Sequence, residues 1–375
     1  MSENNFVKLG DVAHECRLTW SGGQTDIPIV GLEHLVPGEI ELSSWDSNIE
    51  HTFSKKFLKG QVLLGRRRVY LKKAVVAPCD GICSGDITVI ESTGGILPEL
   101  LPFVIQNDRF FDYAMQGSAG SLSPRVKWEH LKNYEFSLPP LAEQKVLADK
   151  LWAAYRLKES YKKLLAATEE MVKSQFIEMF GTVKSTKPLT DFIDVSFPGE
   201  WGQEDKDGSG VKVIRTTNFT NNGKLDLSDV VTRGIDYAKV EKKKLSKGDI
   251  ILERSGGTND NPVGRVVYFE EDGVYLFNNF TQLLRCKEGV NSLFLFYSLF
   301  NYYQMNKNVI RSMSNKTTGI QNLKMDRYWQ IPIADVSIER QKEFESIYRQ
   351  ADKSGFELRK SIEAIDQVIK SLINS

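Results

Sequence analysis

LPPLAEQKVLADKLWAAYRLKESYKKLLAATEEMVKSQFIEMFG, residues 138–181, decides how this chain is organised. Pro139-Pro140 stands where proline is tolerated at the start of a helix. No further Pro or Gly follows until Gly181, a residue type that ends helices. The spacing predicts a helix from there to about Phe180, a rod of about 60 Å at 1.5 Å per residue. A second such stretch runs from about Ile338 to the C-terminus. It carries apolar residues at alternating steps of three and four: Phe344, Tyr348, Ala351, Gly355, Leu358, Ile362, Ile365, Ile369 and Leu372. The matching positions of the first stretch are Leu147, Leu151, Ala154, Lys158, Tyr161, Leu165, Thr168, Val172 and Gln175. A stripe this regular belongs in a coiled-coil seam. The seam is expected from Leu147, Leu151, Tyr161, Leu165 and Val172 with Phe344, Tyr348, Leu358, Ile362, Ile365 and Ile369. Lys158, Thr168 and Gln175 interrupt the first stripe, so pairing with the second helix is favoured over self-pairing. The plainer alternative is an amphipathic helix lying on its own domain. Leu157, Leu164 and Met171 repeat every seven residues beside the stripe, with Trp152 near its start. That surplus apolar surface marks either an interface or packing against the chain's own domains.

Working outward, the two helices end two copies of one plan. KLGDVA (8–13) is answered by KPLTDFID (187–194), and IPIVGLEHLVPGEIEL (27–42) by VKVIRTTNFTNNGKLDL (211–227). KKFLKGQVLLGRRR (55–68) is answered by KKKLSKGDIILERSG (242–256), and YEFSLPPLAEQK (134–145) by YWQIPIADVSIERQK (328–342). Order is kept while the offset grows from about 180 to about 197 residues, as loop insertions in the second copy would cause. Within each copy, runs such as VVAPCDGICSGDITVIE and GRVVYFEEDGVYLF cluster β-formers around glycine turns. The expected fold class is therefore mixed α+β. Two globular domains, 1–137 and 182–330, alternate with two long helices, 138–181 and 331–375, in a pseudo-two-fold repeat.

Lys plus Arg equals Asp plus Glu at 49 each, so any nucleic-acid contact needs a local patch rather than a global positive field. Patches exist. Residues 54–73 hold Lys55, Lys56, Lys59, Arg66, Arg67, Arg68, Lys72 and Lys73 with no acid. The matching stretch of copy two holds Lys239, Lys242, Lys243, Lys244, Lys247, Arg254 and Arg265. A third cluster is Lys307, Arg311, Lys316, Lys324 and Arg327. Small polar residues interleave in ERSGGTNDNPVGR, NNFTQ and SNKTTGIQN. Cations and small donors suit phosphates, and Arg, Asn and Gln suit base edges. The expected DNA-facing set is Arg66, Arg67, Arg68, Lys72, Lys73, Arg254, Ser255, Arg265, Lys316 and Thr317.

Catalytic and metal signals are missing. Cys79 and Cys83 have no second ligand pair, and His14, His34, His51 and His130 show no metal spacing, so no metal is expected. Neither a phosphate-binding GxxxxGK[ST] loop nor an amino-methyltransferase Asn-Pro-Pro-aromatic run occurs. The four cysteines are few and without a disulfide pattern, which fits a reducing, cytoplasmic setting. No targeting segment is visible, and LFLFYSLF (293–300) is too short to span a membrane and reads as a buried helix. Three readings stay open on the residues alone: a DNA reader, a coiled-coil scaffold that binds proteins, and an enzyme with an unrecognised site such as a nuclease.

The chain resembles the DNA-specificity subunit of type I restriction–modification systems. The resemblance rests on IPIVGLEHLVPGEIEL, GRRRVYLKK, DGICSGDITVI, VIRTTNF, GDIILERSGGTNDNPVGRVVYF, LFNNFTQLLR, TTGIQNL and the opener LPPLAEQK. The second opener, IPIADVSIERQK, keeps only the Gln-Lys end. The resemblance implies two target recognition domains held by two antiparallel helices. It implies a non-catalytic subunit that chooses a bipartite, asymmetric sequence in double-stranded DNA. It further implies two partner methyltransferase subunits that methylate adenine with S-adenosylmethionine, joined by motor-nuclease subunits for cleavage.

Overall fold

The computed structural model describes residues 5–22, 26–119, 124–317 and 320–374, without the side chains of residues 5, 316 and 317. It divides into two compact units, Met1–Leu164 with Leu358–Ser375, and Leu165–Glu357. The long helices, Leu141–Phe180 and Ile338–Asn374, fall inside the ranges expected from sequence, and each contributes to both units.

The first unit contains β1 (Asn5–Lys8), β2 (Ala13–Cys16), β3 (Ile29–Val30), β4 (Lys55–Phe57), β5 (Val62–Gly65), β6 (Ala74–Val76), β7 (Gly81–Cys83), β8 (Ile87–Ser92) and β9 (Glu135–Leu138). Strands β2-β8-β5-β6 form an antiparallel sheet, and β3-β7-β4 a smaller one in which β3 and β7 are parallel. β9, which leads into the first long helix, pairs with β1, Asn5 opposite Leu138.

The second unit contains β10 (Thr186–Pro188), β11 (Ile193–Val195), β12 (Gln203–Glu204), β13 (Val211–Ile214), β14 (Val231–Gly234), β15 (Ile250–Glu253), β16 (Ser255–Gly256), β17 (Val266–Tyr268), β18 (Tyr275–Phe277), β19 (Thr281–Cys286), β20 (Ser314–Thr317), β21 (Ile320–Leu323) and β22 (Pro332–Ala334). The order β11-β19-β15-β17 repeats that of β2-β8-β5-β6, and the β13–β18 pair is parallel as β3–β7 is. β10 pairs with β22 as β1 does with β9. A further sheet, β16-β21-β20, is present in this unit. LFLFYSLF lies in a helix, Ser292–Met305, whose Leu293, Phe294, Leu295 and Leu299 are buried.

The repeat extends to single hydrogen bonds. Before each central strand a tight turn needs positive φ, +88° at Gly60 and +94° at Gly248, which glycine adopts without strain. One residue later a buried side chain caps the turn: Gln61 Oε1 accepts from the Leu58 N–H at 2.8 Å, and Asp249 Oδ2 from the Ser246 N–H at 2.7 Å. Both long helices are fastened alike. The Gln144 amide, 2% exposed, donates to the carbonyls of Pro139 (2.9 Å) and Gly95 (3.2 Å) and accepts from the Leu97 N–H (2.9 Å). The Gln341 amide donates to Val336 O (3.0 Å) and accepts from the Asn291 N–H (2.9 Å). The glutamine that survives in both openers thus ties the helix start to the loop after the sheet. Gly181 ends the first helix without a positive φ. Its N–H donates to Ile177 O at 2.7 Å, and a Cβ there would lie 2.6 Å from that oxygen.

Copy two diverges where copy one is neutral. The position of Gly65 is held by Glu253, 1% exposed, which takes Arg265 at 2.7 and 3.1 Å. Arg265 also donates to the carbonyls of Phe219 and Thr216. Expected to face DNA, Arg265 is instead a structural cation, because a carboxylate stripped of water binds the nearest guanidinium.

Within the first unit, residues 146–150 line one cleft with 372–374, and 155–158 another with 363–370, so the helices run antiparallel. Lys158, an interruption of the stripe, pairs with Asp366 at 2.6 Å. Leu147, Tyr161, Leu358, Ile362, Ile365 and Ile369 are half-buried. Leu151 is fully buried, in the globular core with Tyr155. Trp152, expected on the surplus apolar face, turns into its own unit: its indole N–H donates to Glu99 O at 2.8 Å and it packs edge-on against Phe103. Within the second unit Val172, Phe176 and Phe180 share a core with Phe344 and Ala351, while Leu165 and Tyr348 are half-buried. Phe176 meets Phe344 edge-on at 5.0 Å. Leu157, Leu164 and Met171 are each close to half exposed.

Two stability predictions follow from buried polar groups. Gln144→Leu or Gln341→Leu leaves desolvated backbone groups unpaired and costs about 2–3 kcal/mol in urea unfolding, whereas Gln350→Leu, exposed on the same helix as Gln341, changes it by less than about 0.5 kcal/mol. Glu253→Ala strands Arg265 and costs about 3–5 kcal/mol, much of it recovered by adding Arg265→Leu.

Candidate nucleic-acid interface

The two copies place one arginine in the same backbone frame. Arg66 follows β5; its N–H donates to Asp86 O at 2.9 Å and its carbonyl accepts from the Val126 N–H at 3.0 Å. Arg254 follows β15; its N–H donates to Phe280 O at 2.9 Å and its carbonyl accepts from the Leu323 N–H at 2.8 Å. The frame comes from chain packing, so what the arginine meets depends on the loops of each copy.

In the first unit Arg66 lines a cleft of about 430 Å³ with Arg17, Lys55, Lys127 and Trp128. Its Nε is buried, with no hydrogen-bond partner among the described residues. Burial pushes the Lys55 ammonium below its usual pKa, against the pull of Glu15 beside it. Around Asp86 three guanidiniums gather. Arg125 binds its carboxylate at 2.7 and 3.1 Å, and Arg67 lies 3.7 Å away. The Arg125 hydrogen bond, with Arg67 and Arg66 nearby, holds the Asp86 carboxyl below the usual carboxylate range. Arg68 is exposed at φ +52°, its N–H bound to Pro124 O, and among the described residues no ion-pair partner reaches its guanidinium. Lys72 and Lys73 are tied down instead: Lys72 Nζ lies 2.6 Å from Asp108, and Lys73 Nζ donates to Leu32 O at 2.7 Å.

In the second unit Arg254 Nη1 donates to Gln282 Oε1 at 3.3 Å. Ser255 is buried, its hydroxyl donating to Asn322 at 2.7 Å across β16–β21. Gln321 Oε1 and Arg215 Nε are buried, with no hydrogen-bond partner among the described residues. Lys316 and Thr317 fall on β20, and their side chains lie outside the described residues. The lysine run of copy two sits on and beside the helix Tyr237–Lys243, where Lys239 and Lys243 pair with Glu200, Lys244 with Glu241 and Lys247 with Asp272. Those lysines form a solvated, charge-balanced face. Arg311 donates to Asn259 O at 2.8 Å.

Sequence reading missed Arg17, Arg125 and Lys127. The repeat held the signal for one of them, since Lys127 and Lys324 each precede a one-turn helix, Trp128–Leu131 and Met325–Tyr328. Arginines beside amide side chains can take the acceptors of guanine and the paired groups of adenine, and cations lower the cost of approaching phosphates. Two groups of metal-ligand type occur among the described residues, His14 with Cys16 and Glu91, and Glu33 with His34 and Asp46. No helix among those residues is long and apolar enough to cross a membrane.

Residues 184–367 match the family model described as the type I restriction modification DNA specificity domain. The type I restriction enzyme EcoDI specificity subunit of Escherichia coli is 30% identical over 119 residues, 30% of this chain and 26% of that protein. The chain thus spans about a quarter of the length of that relative. A solved structure concerned with complex assembly and conformational transition of the type I R-M system superposes with a TM-score of 0.56 at 16% identity, over 98% of this chain and 96% of the other. The type I restriction–modification S subunit from M. genitalium does so with 0.54 at 11% identity, over 99% and 96%. Those two likenesses carry the fold: mixed helix and strand, two domains, two long helices. Over residues 184–367, just under half of its length, the chain is similar to the type I restriction modification DNA specificity domain.

Proposed function

We propose that this chain is the non-catalytic DNA sequence-recognition subunit of a type I restriction–modification complex. Each mixed domain reads one short half of a bipartite, asymmetric target in double-stranded DNA. The observation that carries the reading is the pair Arg66 and Arg254, in one backbone frame but among unlike side chains. An identical frame with unlike surroundings is what two readers of two different half-sites need. The long helices set the distance between the half-sites. The exposed Leu157, Leu164 and Met171 offer apolar surface for a methyltransferase subunit, and the internal repeat implies a second, related docking site, so that two such subunits supply S-adenosylmethionine-dependent adenine methylation. Motor-nuclease subunits join for cleavage, and the complex works in the cytoplasm.

Filter binding of target DNA at rising salt tests the reading. Affinity falls steeply, because phosphate contacts release counterions. Arg66→Ala, Arg67→Ala and Arg68→Ala together reduce the salt slope, and a base-reading arginine among them costs about 1–3 kcal/mol and relaxes one position. Unchanged affinity and slope would remove this loop from the interface. A heptad inserted at Ala166-Ala167 lengthens the first helix by about 10 Å, and the gap between half-sites grows by about three base pairs without a change in the bases read.

A further inference from the structure

We propose that His14, Cys16 and Glu91 form a binding site for one divalent transition-metal ion of the zinc class. His14 and Cys16 alternate along β2, so their side chains share a face of the sheet, and Glu91 on β8 lies directly opposite His14. His14 Nε2 is 3.6 Å from Cys16 Sγ, and Cys16 Sγ is 3.2 Å from Glu91 Oε2. All three ligand atoms lie within 4.8 Å of one another. A tetrahedral ion with bonds of about 2.3 Å to sulfur and about 2.0–2.1 Å to nitrogen and oxygen has ligand–ligand edges of about 3.5 Å. The three atoms therefore already stand close to the corners such an ion requires. Thiolate, imidazole and carboxylate together favour zinc or cobalt over calcium or magnesium.

The site has support beneath it. Gln61 is 3% exposed, and its Oε1 is committed to the Leu58 N–H. Its Nε2 is thereby aimed at Cys16 Sγ (3.3 Å) and Glu91 Oε2 (3.1 Å). A donor held in that way orients a thiolate and a carboxylate for a metal. Binding replaces the Cys16 S–H bond by a sulfur–metal bond and releases the proton to water. His14 and Glu91 are exposed beside the buried Cys16, so two of the three ligands are reached from solvent. The second cluster lacks such a build: it has no sulfur, and His34 Nδ1 already accepts from the Gly31 N–H at 2.9 Å.

The test is a titration of the reduced, full-length chain with Co²⁺, read by thiolate-to-cobalt charge-transfer absorption. One equivalent saturates the band, and Zn²⁺ abolishes it by displacement. Cys16→Ser removes the band. His14→Ala, at an exposed position that leaves the fold intact, weakens the apparent affinity at least about tenfold, as does Glu91→Gln. No band in the parent chain would overturn the site. So would a band that survives Cys16→Ser, which would belong to another cysteine, or an affinity untouched by His14→Ala and Glu91→Gln.

Discussion

One buried glutamine amide at the start of each long helix governs the architecture. Gln144 and Gln341 each satisfy backbone groups of the chain just before the helix and of the loop that follows the sheet. Such groups are costly to leave unpaired once desolvated. A helix that begins on this clamp starts at a fixed place relative to the sheet of its own copy. Pairing of β1 with β9 and of β10 with β22 fixes the approach to that start. The strand before each helix is thereby locked on both sides, and the rest of each domain is built on it.

With the scaffold held by backbone bonds, the side chains are free to differ. Gln61 and Asp249 cap the same turn, yet Gln61 faces Glu91 while Asp249 faces Arg285. The position of Gly65 becomes Glu253, and a buried ion pair with Arg265 appears. Arg66 and Arg254 keep their frame while the side chain of one lines a cleft with Arg17, Lys55 and Lys127 and that of the other donates to Gln282. Proteins that read DNA change specificity through such positions, since the base contacted depends on which donors and acceptors surround an arginine.

Much of the fold was legible because repetition and period are sequence-wide signals. The long helices, the duplication and the buried helix at Leu293–Phe300 all follow from spacing. The heptad stripe was legible as a burial pattern, but not its division of labour. Leu151 and Trp152 obey the period yet serve the first unit's core, a choice made by neighbours such as Phe103 that no helical pattern reports. The candidate interface was less legible for the same reason. A run of cations says nothing of the acids that will meet it, and Lys72, Arg265, Lys239, Lys243, Lys244 and Lys247 are each paired with one. The His14–Cys16–Glu91 group was invisible, because its ligands come together only through the pairing of β2 with β8.

The methylome of cells carrying this chain with a methyltransferase partner tests the account's central claim most directly. The account predicts one asymmetric target in two parts separated by a fixed gap, with Arg254→Ala altering one part and leaving the other intact. A single continuous palindrome, or a change in both parts on that one substitution, would contradict it.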